Sequence, residues 1–72
     1  MKDKLYKIIA NVLEIDEREI NEDFSDSVSD KWDSLAQLMI VEEIEIEFKV
    51  NIPIENAMEM TSVKSILGFL EA

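Results

Sequence analysis

No cysteine occurs in this chain of 72 residues, so whatever fold it adopts must be held by packing alone. A domain of this size buries only about 60% of the surface that its unfolded chain exposes. Histidine is absent as well, which removes the commonest metal ligand and the commonest general base. An autonomous hydrolase or transferase is therefore not expected, and no catalytic residue and no metal site are assigned. The Asp-rich middle of the chain lacks the glycine and the regular ligand spacing of an EF-hand loop. Aliphatic side chains on packed helices are left to make the core.

The spacing of apolar residues supplies those helices. Leu5, Ile8, Ile9, Val12 and Leu13 fall on one face of a helix expected from about Asp3 to Glu14. A long polar connection, "IDEREINEDFSDSVSDK", follows, and so long a connection in a small domain must be pinned by its own side chains. Ile15, Ile20, Phe24 and Val28 are the expected pins. A second helix is expected from Ser34 to Phe48 or Lys49, stopped by "VNIP", because the residue before a proline is pushed into an extended conformation. "PIENAMEM" has room for a short helix. "SVKSILGFLEA" forms the last one, with Thr61 or Ser62 as its N-cap and Val63, Ile66, Leu67 and Leu70 facing inward. No segment alternates with period two. The expected fold class is all-α, a four-helix bundle of three main helices and one short one, occupying residues 1–72 as a single domain.

Seventeen acidic residues against seven basic ones give a formal charge of −10, which disfavours nucleic acid and anionic membranes and favours basic protein surfaces. A hydrophobic fraction of 47% is too high for a disordered acidic tail. The N-terminal stretch does not read as a signal peptide, and no segment is long enough to insert stably in a bilayer, so a cytoplasmic monomer is expected. The crowded carboxylates should repel one another, so salt or divalent cations should raise the melting temperature.

The second helix has two apolar sides. Ile40, Ile44 and Phe48, with Gln37 and Val41 beside them, make a core face, whereas Leu35, Met39 and Ile46 fall together nearly opposite. Glu42, Glu43, Glu45 and Glu47 lie between the two. A helix that only covered a core would have a polar outer face. The second stripe therefore reads as a docking surface, although scattered exposed apolar residues are common in any protein.

Ser34 stands at the mouth of this helix, directly after Asp33. Either side chain is able to cap the helix. As a nucleophile Ser34 has no histidine to take its proton, and Gln37 occupies the position where a Ser-x-x-Lys pair would need its lysine. An exposed serine at a helix N-terminus is also well placed to carry a phosphodiester, because free amides and the helix dipole stabilise the negative charge. Asp33 would then help a modifying enzyme hold its divalent cation.

Asp33-Ser34-Leu35, then Glu45, Glu47 and Phe48, then Ile52-Pro53, Glu55, Ala57, Thr61 and Val63 follow one another in a register that resembles the acyl carrier protein family over nearly the whole chain. The resemblance implies a 4′-phosphopantetheine arm on Ser34, placed there from coenzyme A by a phosphopantetheinyl transferase, with acyl intermediates held on its thiol as thioesters. It implies a carrier, not an enzyme, whose partners are acyl-transferring or acyl-activating enzymes with basic or apolar docking grooves. Leu35, Met39, Glu42, Glu43, Ile46, Glu47, Ile54 and Met58 are the residues expected to meet them. An aminoacyl or peptidyl carrier, or an unmodified acidic helical interaction module, are the alternatives.

The chain also departs from the family pattern. Lys31-Trp32 stand where a glycine and a small residue are usual, and the preceding loop is longer. Ala36, Met39, Ile46, Ile54 and Met58 occupy places that are often acidic, and Lys49 stands where glycine is frequent. These changes suggest a dedicated partner set in a specialised fatty-acid, polyketide, aminoacyl or cell-surface pathway. Ile40, Ile44, Ile54, Met58, Met60 and Ile66 are candidates to line a space between helices that opens for a chain, methionine being adaptable. The same set also reads as ordinary core.

Overall fold

The computed structural model describes residues 1–71, as helices α1 (Lys2–Leu13), α2 (Ser34–Phe48), α3 (Ile54–Glu59) and α4 (Val63–Glu71), with a 3₁₀ turn at Glu17–Glu19. Among the described residues there is no strand, only an isolated antiparallel bridge between Ser25 and Ser62. The expected four-helix, all-α architecture is therefore found. The last residue assigned to the final helix from its sequence, Ala72, lies outside the described residues.

Apolar periodicity explains which faces meet. Leu5, Ile8, Ile9 and Leu13 of α1, Ile40, Val41 and Ile44 of α2, and Val63, Ile66 and Leu67 of α4 are all buried in one cluster. Leu5, Ile9, Ile40, Ile44 and Ile66 are its largest fully buried side chains. Each contributes about 1.5–3 kcal/mol relative to an exposed position. Among the described residues, no buried side-chain nitrogen or oxygen lacks a hydrogen-bond partner.

Two helices end by the same device. Glu14 follows α1 with φ 58°, and Lys49 follows α2 with φ 55°. The amides of Glu14 and Ile15 both reach Ala10 O, and those of Lys49 and Val50 both reach Glu45 O. Left-handed residues at this position let the chain turn back on the last carbonyls, and an apolar residue usually follows to pack on the helix. Ile15 and Val50 do so, both partly buried against the core. Proline therefore does not stop α2, contrary to expectation: the helix closes at Lys49, and Pro53 instead serves as the N-cap residue of α3. Glu45 also accepts a hydrogen bond from Ile52 N (2.9 Å), which ties down the link between the two helices.

The long connection between α1 and α2 is held along its length. Asp16 and Glu19 form a reciprocal capping box around the 3₁₀ turn. Ile20 and Phe24 are buried, and Ile15 is half-buried, as expected of pins. Val28 is not a pin: it is 62% exposed, at the tip of a serine-rich turn. Its place is taken by Trp32, which is buried and stacked on Phe24 with ring centroids 6.1 Å apart. Backbone hydrogen bonds from Val63 N to Phe24 O and from Asp26 N to Thr61 O, each 2.9 Å, fasten the connection to the entry of α4. Of the two N-cap candidates there, Ser62 takes the role, exchanging hydrogen bonds with Ser65 across the first turn of the helix.

Candidate functional site

The first turn of α2 distributes its two candidate caps. Asp33 has extended backbone, and its Oδ1 accepts the Ala36 amide at 2.9 Å. Asp33 O accepts the Gln37 amide at 2.8 Å as the first helical bond. The cap is thus Asp33, and Ser34, the first helical residue, is exposed with its hydroxyl free of that duty. The amides of Ser34 and Leu35 are among the four at a helix N-terminus that have no intrahelical acceptor. An anionic group joined to the Ser34 oxygen would sit against donors and the positive end of the helix dipole. The exposed hydroxyl and these amides fit a phosphodiester.

Beside Ser34 lies an open groove of about 450 Å³, walled by Asp26, Asp33, Gln37, Leu38, Met58 and Thr61 and floored by the buried ring of Trp32. It brings together the start of α2, the long connection, and α3. Gln37 joins these three parts. Its Nε2 donates to Ala57 O (2.7 Å) and Met60 O (2.6 Å) at the end of α3, and its Oε1 accepts from Trp32 Nε1 at 2.5 Å. Gln37 was expected only as a neighbour of the core face, and Trp32 only as a departure from the family pattern. Their place in the site depends on contacts 20 and 23 residues away along the chain, which local spacing does not report.

All eight residues expected to meet partners are exposed: Leu35, Met39, Glu42, Glu43, Ile46 and Glu47 on α2, and Ile54 and Met58 on α3. Leu35, Ile46, Ile54 and Met58 are more than 60% exposed. Met39, Glu43 and Glu47 also line a second open groove with Lys4 and Lys7 of α1, where Lys4 Nζ lies 3.7 Å from Glu47 Oε2. Leu38, 61% exposed, belongs to the outer apolar set and was missed, although its i+3 spacing from Leu35 is a helical-neighbour signal. Of the residues expected to line an interior space, Ile40, Ile44, Met60 and Ile66 are buried. Ile54 and Met58 are not, because α3 turns them outward, and an interior lining that includes them is corrected.

Shifted titrations lie away from this site. The Asp16 carboxyl is held below the ordinary range by hydrogen bonds from Arg18, and Glu22 is lowered by its hydrogen bond and ion pair with Lys2. Among the described residues, no group of three or more His, Cys, Asp or Glu side chains is placed to hold a metal ion. No described helix is long and apolar enough to cross a membrane.

No curated protein matches the chain. The family model described as the phosphopantetheine attachment site matches residues 3–70, nearly the whole length. Domains of this family are non-catalytic and bear 4′-phosphopantetheine as a covalent group. They meet phosphopantetheinyl transferases and acyl-handling enzymes. With its helical bundle and its exposed hydroxyl at the start of α2, the chain belongs to the phosphopantetheine attachment family and is a carrier, not an enzyme.

Proposed function

We propose that Ser34 is the residue that accepts the phosphopantetheine half of coenzyme A, and that residues 1–72 act as one carrier domain holding acyl intermediates as thioesters. The observation that carries this reading is the division of labour at α2: Asp33 caps the helix, which leaves the Ser34 hydroxyl exposed beside free amides. The chain has no thiol of its own, and the arm supplies one. Tethering also raises the concentration of cargo at any enzyme docked on the carrier.

Leu35, Met39, Glu42, Glu43, Ile46 and Glu47 of α2, with Ile54 and Met58 of α3, form the docking residues in this reading. Their mixture of exposed apolar and acidic side chains suits enzyme grooves that are partly apolar and partly basic. The protein works as a cytoplasmic monomer in a specialised fatty-acid, polyketide or cell-surface pathway, with enzymes dedicated to it. Full turnover by an ordinary fatty-acid ketosynthase or malonyl transferase at ordinary protein concentrations would refute the dedicated set. Aminoacyl cargo is the second reading, favoured by the formal charge of −10, which would attract an ammonium group carried on the arm.

The test is intact mass after incubation with coenzyme A and a broad-specificity phosphopantetheinyl transferase. One pantetheinyl increment is expected, absent in Ser34→Ala. An unchanged wild-type mass would leave an unmodified acidic interaction module, and an increment retained in Ser34→Ala would move the attachment elsewhere. An adenylating ligase that charges the modified protein would identify aminoacyl cargo.

A further inference from the structure

A single carboxamide joins α2 to the far end of α3. Both N–H groups of Gln37 are engaged with Ala57 O and Met60 O, and its oxygen accepts from the Trp32 indole, so both donors and one acceptor position are used. α3 has six residues and no side-chain cap, too little to hold its own place. The end of α3 therefore depends on Gln37. Trp32 is anchored in turn by Phe24, whose carbonyl receives the Val63 amide at the start of α4. The connection thus runs without a break from α4 through the long loop to α2 and α3.

We infer that Gln37 bolts the α2–α3 seam, so that this carrier keeps the acyl chain of its cargo outside the bundle. The inference rests on attachment at Ser34. A hydrocarbon chain passing from Ser34 between α2 and α3 would have to displace the carboxamide. That would strip the part-buried Trp32 N–H and Met60 carbonyl of their partners, and a hydrocarbon chain offers no replacement. Ile40 and Ile44, one and two turns further along α2, are fully buried behind this barrier.

The experiment compares acetyl and octanoyl thioesters on the wild-type protein and on Gln37→Met, a change of similar volume that removes the donors. Intact mass first establishes loading, and the isoleucine methyl resonances and the melting temperature are then read. In the wild type, the methyl signals of Ile40, Ile44 and Ile66 are expected to coincide in the acetyl and octanoyl forms. In Gln37→Met, the octanoyl form alone should shift them, with a higher melting temperature than its acetyl form. Shifted core methyls in the octanoylated wild type would overturn the bolt, and that measurement stands even if the variant fails to fold. Coincident signals in a folded Gln37→Met would overturn the role of Gln37. Failure of the wild type to take up the arm at all would refute attachment, and the inference with it, and is told apart by mass.

Discussion

Replacing Asp33 separates its observed role as a helix cap from the contact with the modifying enzyme that we propose for it. Its Oδ1 accepts the Ala36 amide at 2.9 Å, and no other side chain stands in for it there. Asp33→Ala removes the acceptor, and loss of an N-cap destabilises by about 1 kcal/mol, within a range of about 0.5–2. Asp33→Asn keeps an acceptor of similar quality and loses only the attraction of a negative charge to the helix N-terminus, about 0.3–1 kcal/mol at low salt. For a domain of this size, 1 kcal/mol corresponds to roughly 4–8 °C in melting temperature. Thermal unfolding followed by circular dichroism should thus place Asp33→Ala roughly 4–8 °C below the wild type, with Asp33→Asn between them and closer to the wild type as salt is added. The initial rate of pantetheinyl transfer, measured by mass with both variants folded, should fall about tenfold or more in each, because neither retains the charge that helps hold the transferase's cation. Equal melting temperatures for Asp33→Ala and the wild type would refute the cap. A wild-type transfer rate in Asp33→Asn would refute the enzyme contact and leave Asp33 a cap only.

Three further outcomes follow from the same structure. Lys49→Gly should raise stability by about 0.5–1 kcal/mol in chemical denaturation, because a left-handed residue with a β-carbon is strained by about 1–2 kcal/mol and glycine returns part of that relief as chain entropy; an unchanged midpoint would refute strain at φ 55°. Sodium chloride, and magnesium more so, should raise the melting temperature of a chain with a formal charge of −10, and no shift with either would sink the repulsion argument. Glu22 is held below its ordinary value of 4.5 by Lys2, so the stability it brings is complete above that value and is lost as pH falls through its lowered one. Glu22→Gln should lower the neutral plateau slightly, the pair being exposed and screened, and meet the wild type at acid pH, which flattens this part of the acid limb; an acid limb identical to the wild type would show that the pair contributes nothing.

How far the residues alone disclosed this protein varies from element to element. α1, α2 and α4 were legible because each repeats apolar residues with helical period, and their boundaries fell within a residue or two of expectation. Ser34 was singled out by its place after Asp33 at a helix mouth, although which of the two caps the helix stayed open. The end of α2 was placed correctly and explained wrongly: a lysine gave no sign that it would adopt the backbone conformation natural to glycine, and the nearby proline drew the explanation instead. Val28 and Trp32 show the limit in the long loop. Both are apolar in a polar stretch, and only the loop's path determines which ring meets Phe24 and which side chain faces water.

Periodicity and charge were enough to establish a small acidic helical protein, because helix formation and capping depend on residues within a few positions of one another, and the carrier role came from the family resemblance around Asp33-Ser34-Leu35. The meeting of Gln37 with α3 and the outward turn of Ile54 and Met58 were decided by tertiary structure alone. These depend on how separate helices are rotated against one another, and that rotation is set by the packing of the whole core.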